Sequence, residues 1–158
     1  MNEIADFLRA RYTEQRATAE AAVASSSMNW CPGDRFLSDS VTEVETGAAV
    51  VIGPWEHLDH DLRQHIAAHD PAAVLADLDA KLALLAELLA ERHERNEEDH
   101  WYSCAALTDE EGNVLCFDES RAPGPCDCGR DARVNRRLRL LAQPFIGHPD
   151  YKGEEWAA

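Results

Sequence analysis

The sequence has no long apolar run. None of its 158 residues belong to a stretch approaching the ~18 consecutive apolar positions of a membrane helix. A basic opening segment is missing too. Met1-Asn2-Glu3 carries an acid, and Asp6 and Arg9 interrupt Ile4 to Ala10, so no secretory leader is expected. Basic residues are few: 15 Lys and Arg stand against 30 Asp and Glu, a formal net charge of −15. So negative a surface repels nucleic-acid phosphates and anionic membranes on average, and favours solubility and basic partners. Common catalytic signatures are absent. There is no Gly-rich phosphate loop, no Gly-x-Ser-x-Gly elbow and no His-Glu-x-x-His. Together these gaps predict a cytoplasmic protein that does not engage membranes or nucleic acid, and a binding module rather than an enzyme. The charge could also imitate DNA, if carboxylates were spaced like phosphates on one face.

What is present is an ordinary globular composition, 45% hydrophobic and 28% charged. The length suits one domain, residues 1–158, able to bury a core without covalent staples. Ile4, Phe7, Leu8 and Tyr12 recur at helical spacing and predict a helix over 2–24, ended by Ser25-Ser26-Ser27. Residues 28–55 differ. Val41 to Val44 and Ala48 to Ile52 are β-branched runs separated by Glu45-Thr46-Gly47, a hairpin pattern closed by Gly53-Pro54. An isolated hairpin is marginal in water, so this one must rest on helices.

Residues 57–69 read as a short helix with Leu58, Leu62 and Ile66 on one side. Asp70-Pro71 is a sharp start signal, because aspartate caps a helix and proline fits its first position. Val74, Leu75, Leu78, Leu82, Leu85 and Leu89 then form one apolar stripe, predicting a core helix over 71–94, about 35 Å long. Its far end is acidic, with Glu87, Glu91, Glu94, Glu97, Glu98 and Asp99. After a loop over 100–129, Val134, Leu138 and Leu141 mark a helix over 130–143 that Pro144 stops, leaving a tail over 144–158.

Four of the five cysteines, Cys104, Cys116, Cys126 and Cys128, lie in that loop, with Gly112, Pro123, Gly124 and Pro125. So long a loop has little core of its own to offset the entropy of ordering it. A structural zinc ion held by Cys104, Cys116, Cys126 and Cys128 would supply that order, since four thiolates close a tetrahedral site. His93 or His100 could replace one thiolate. The short Cys-x-Cys also leaves scattered reduced thiols, a redox pair at Cys126 and Cys128, or an iron–sulfur cluster open. Cys31, far upstream, stands apart.

Two further clusters invite chemistry. His57, His60, His65 and His69 with Asp59, Asp61 and Asp70 could ligate a catalytic metal with an open position, and His65 and His69 share one helical face. A solvated helix produces the same pattern. Arg130, Arg133, Arg136, Arg137 and Arg139 form one basic stretch that could contact phosphate, or else pair with the protein's own acids.

Several segments together resemble a family. Asp6-Phe-Leu-Arg-Ala-Arg11, His65-Ile-Ala-Ala-His-Asp-Pro71, Cys126-Asp-Cys-Gly-Arg-Asp-Ala-Arg133, Leu138-Arg-Leu-Leu-Ala142, and His148-Pro-Asp-Tyr151 with Trp156 are similar to small actinobacterial and actinophage proteins of unknown function. The resemblance covers nearly the whole chain. It implies that His65, His69 and the segment from Tyr102 to Cys128 belong to a shared plan, and it implies no activity.

The sequence thus predicts a mainly α fold with a small β-hairpin (α+β), a helical domain with a zinc-stabilised loop. Its expected role is protein interaction or regulation, with a protein as partner. A metal-dependent hydrolase at His57–His69 and a nucleic-acid binder through Arg130–Arg139 are the alternatives.

Overall fold

Asn2 opens the first helix. Its side-chain oxygen accepts from the backbone N–H groups of Ile4 and Ala5, at 3.2 and 3.3 Å, meeting two donors that a helix start leaves without partners. Helix α1 then runs Glu3–Ser25. Three short strands follow, β1 (Trp30–Pro32), β2 (Ser40–Glu43) and β3 (Ala49–Ile52), then helices α2 (His60–Ala68), α3 (Pro71–Ala90) and α4 (Arg130–Ala142). Two 3₁₀ turns, Gln143–Phe145 and Gly153–Trp156, complete the chain. The structure, a computed structural model, describes residues 2–33, 40–52, 58–94 and 102–157. The fold is α+β and mainly helical, as the periodicities predict. Among the described residues, no helix is long and apolar enough to cross a membrane.

The chain gathers into two compact units, Arg9–Ala83 and Met1–Leu8 with Leu84–Ala158. In the first, the strands form an antiparallel sheet in the order β1-β2-β3. The expected hairpin is its β2–β3 pair, with Val41 opposite Val51 and a register shift between Val41 and Thr42. The third strand was hidden in the sequence. Trp30, Cys31 and Pro32 pair with Glu43, Thr42 and Val41. Three residues ending in proline carry no alternation to read, and proline tolerates only an edge position, which β1 occupies. Asp70 links sheet to helix. One carboxylate oxygen accepts from Ala73 N–H at 2.7 Å, capping α3, and the other accepts from Trp30 N–H at 3.2 Å. Val41, Tyr12 and Leu78 are buried in this unit. Burial, with Asp77 nearby, raises the pKa of the Tyr12 hydroxyl.

The second unit is built on α4. Val134, Leu138 and Ala142 recur at helical spacing and are all buried, as are Ile4, Phe7, Leu8, Leu85 and Leu88. The tail packs here. Phe7 meets Phe145, His148 and Tyr151 edge-on and tilts against Trp156, with ring centroids 5.1–6.3 Å apart. Helix α3 ends at Ala90, short of the expected Glu94. Arg130 reaches its last carbonyls, donating from Nε to Glu91 O at 2.7 Å and from Nη2 to Leu89 O at 3.1 Å. The guanidinium thus answers acceptors that a helix end leaves open. Residues 91–94 are released from the helix, and the candidate site lies there.

Candidate metal centre

Four side chains from separate stretches converge: His93 just beyond α3, Cys104 in the following loop, and Cys126 and Cys128 just before α4. Their ligand atoms all lie within 4.8 Å of one another. The Cys126 and Cys128 sulfurs are 3.6 Å apart. His93 Nδ1 lies 3.4 Å from Cys104 Sγ and 3.7 Å from Cys128 Sγ. Metal–sulfur and metal–nitrogen bonds of about 2.3 and 2.0 Å in a tetrahedron give S···S and S···N edges of about 3.8 and 3.5 Å. These three separations lie near those edges and the rest are within 4.8 Å, so this group could hold a metal ion.

The backbone explains how the donors arrive. Cys104 donates its N–H to Glu94 O at 3.1 Å, tying the loop to the strip that carries His93. Cys104 is fully buried, while His93, Cys126 and Cys128 are half-buried. Gly129 sits at the N-cap of α4 with φ 77°, a left-handed turn that glycine enters without steric cost. Gly124 is demanded by crowding, since a Cβ there would lie 2.2 Å from Arg121 O.

Two backbone amides point at the sulfurs. The N–H of Asp131, in the first turn of α4, points at Cys126 Sγ at 3.5 Å, and that of Glu94 at Cys128 Sγ at 3.5 Å. The Asp131 amide, in the first turn of a helix, presents positive potential to the sulfur it faces. Asp131 Oδ1 lies 3.8 Å from His93 Nε2 and accepts from Arg130 Nη1 at 2.8 Å. A carboxylate beside the outer nitrogen is the arrangement that orients a ligating imidazole.

Asp127, between the paired cysteines, faces another way. It accepts from Ala105 N–H at 3.1 Å and from Arg121 Nη1 at 2.6 Å. The Ala105 N–H first, then the Cys104 thiol and Arg121, hold its carboxyl below the usual carboxylate range. Arg121 also donates to Asp118 Oδ2 at 3.0 Å and Ser103 O at 3.2 Å, and lies over the Tyr102 ring. Asp118 chiefly, with Asp127, raises its pKa. Arg121, Asp127 and Asp131 escape a reading by spacing, because single charged residues in an acidic loop carry no pattern.

The sequence-predicted residues divide as follows. Cys104, Cys126 and Cys128 are brought together. Cys116 is not in the group. It is buried, and its thiol lies 3.5 Å from Ser103 O and 3.7 Å from Asp118 O. His93, one of the two histidines able to stand in for a thiolate, takes the fourth place, and His100 lies outside the described residues. So does His57. His60, His65 and His69 are exposed. The His65 and His69 rings are 4.3 Å apart, and His69 Nδ1 lies 2.8 Å from the carbonyl of His65. They belong to no group of three or more metal donors among the described residues. The arginines of α4 are largely used internally. Arg133 and Arg137 grip Glu91 at 3.0 and 3.1 Å, and Arg130 holds the end of α3.

Fold and site define a mainly helical α+β protein with a potential three-cysteine, one-histidine metal centre. The chain belongs to DUF6221, a family of unknown function whose pattern matches residues 1–158. No curated protein and no solved structure gives a match.

Proposed function

We propose that this is a zinc-binding protein of the cytoplasm that acts as a protein-interaction or regulatory module, with zinc in a structural role. The observation that supports it best is the set of edge distances among His93, Cys104, Cys126 and Cys128, which suits a small tetrahedral ion. Three thiolates and one imidazole favour zinc over hard cations, which take oxygen. Four protein ligands leave no position for substrate, so the ion's work is to order the loop. No disulfide joins any of the five cysteines, which accords with a reducing compartment.

The test is elemental analysis of the purified protein. About one zinc per chain is expected for a single four-ligand site. It should survive Cys116→Ser and His65→Ala, and be lost with His93→Ala or Cys126→Ser. Zinc that follows Cys116 in place of His93 would assign the fourth ligand to sulfur. Zinc that follows His65 and His69 would overturn the structural-ion reading and favour a hydrolase.

A further inference from the structure

The loop between the second and third proposed ligands exposes apolar side chains. Val114, Leu115 and Phe117 are 42%, 40% and 55% exposed, on either side of the buried Cys116. Thr108 bridges Val114, and Leu115 donates its N–H to Leu107 O at 2.9 Å, so this is a small ordered hairpin. Beside it opens a cavity of about 530 Å³. Leu89, Leu107 and Leu115 give it an apolar floor, and His93 forms part of its wall. Clustered exposed apolar groups of this kind mark interaction surfaces, whereas single ones do not.

The charge around the patch selects the occupant. Residues 107–119 contain five carboxylates, Asp109, Glu110, Glu111, Asp118 and Glu119, and no Lys or Arg. Asp109 and Asp118 are fixed in charge-bearing geometry. Asn113 donates to both oxygens of Asp109, at 2.7 and 2.9 Å, and Ser120 and Arg121 donate to Asp118. Arg121 already pairs with Asp118, and Arg92 lines the cavity wall beside Asp109 and Glu110, so among residues 107–119 Asp109, Glu110, Glu111 and Glu119 outnumber the cation at the cavity. A second copy of the chain would bring a like-charged rim to the same face, and phosphate-bearing surfaces would be repelled.

We propose that the Leu107–Phe117 hairpin and the adjoining cavity dock a cationic amphipathic segment of a partner protein. Its apolar side chains enter over Leu89, Leu107 and Leu115, and its Lys or Arg side chains face the acidic rim. The inference rests on the zinc reading, since the hairpin lies between Cys104 and Cys126 and the ion would hold it in shape.

The probe is a fluorescent synthetic helix with Leu at i, i+3, i+4 and i+7 and Lys elsewhere. A counterpart carries Glu in place of every Lys. Anisotropy with zinc-loaded protein should show saturable binding of the Lys peptide only. Leu115→Ser with Phe117→Ser leaves the charge unchanged and should weaken binding at least about tenfold, as loss of central apolar anchors does. Glu154→Lys with Glu155→Lys, on the C-terminal turn, should change it less than about twofold, as peripheral charges do. Equal weakening by the two variants, equal binding of the Glu peptide, or a dimer that Leu115→Ser/Phe117→Ser dissolves would each overturn the proposal. Zinc is counted in every sample. Unaltered peptide binding by a Leu115→Ser/Phe117→Ser protein that keeps its zinc sinks the docking surface alone. Peptide binding that survives complete chelation sinks its dependence on the ion.

Discussion

At the scale of single residues, turn carboxylates do much of the local work in the loop. Asp109 holds the turn of the exposed hairpin by accepting from Asn113, side chain and backbone, and these bonds draw its pKa below the ordinary value. The sign follows. A carboxyl with a depressed folded pKa stabilises the fold fully above its unfolded value, about 3.9 for aspartate, and loses that contribution as pH falls through the folded value. Asp109→Asn should therefore melt at a lower temperature than the wild type at neutral pH. The gap should hold down to about pH 4 and close below it. Thermal melts across the acid range check this, and a gap that widens on acidification would contradict it. Residues of this kind were only partly legible. The cysteines pointed to the loop where donors gather, because four thiols in a core-poor stretch have few other uses. His93 was harder to see. The leucine stripe to Leu89 reads on smoothly to Glu94, and nothing in the pattern reports that Arg130 seizes the carbonyls of Leu89 and Glu91 and ends the helix early. Cys116 looks like its neighbours in sequence. Only folding shows it turned toward Ser103.

At the scale of elements, legibility followed the strength of the local signal. The Asp70-Pro71 start of α3, the Pro144 stop beyond α4 and the β2–β3 pair all rest on residues whose backbone preferences are strong. Strand β1 was unreadable, because its pairing is supplied by β2 and not by its own three residues. Helix α4 makes a clear forecast. Leu138 is fully buried and Leu140, on the same helix, is 54% exposed. Leu138→Ala should cost about 2–5 kcal/mol, by lost transfer energy and the cavity left behind. Leu140→Ala should fall within about 0.5 kcal/mol of the wild type, as surface changes do. Urea unfolding measures both, and equal costs would show that α4 does not bury the face its spacing implies.

At the scale of the whole molecule, order is distributed unevenly. The sheet makes its ladder within residues 9–83, by backbone pairing over a buried Val41. The stretch from 102 to 129 has no helix or multi-residue strand, only an isolated bridge, local turn bonds and side-chain bonds. With the proposed zinc bound, chelation should therefore raise amide hydrogen exchange across 102–129 and at the start of α4, and leave β2 and β3 protected, since local opening follows local stability. Exchange that rises uniformly along the chain would mean that the ion supports the entire fold. The net charge of −15 adds a general effect. Moderate salt should firm the folded state by screening self-repulsion.

The spacing of the donors has one more consequence, for how this chain can vary. Cys104 stands 11 positions from His93, and Cys128 stands 35. Closing the longer span costs only about 1 kcal/mol more than the shorter, because closure entropy grows with the logarithm of length, and doubling a loop adds just ~0.6 kcal/mol. Residues can thus be inserted or deleted at the tip of the Leu107–Phe117 hairpin while the anchor points stay put. The centre would act as a fixed frame for an interchangeable surface, on which relatives could change what they present without having to refold what presents it.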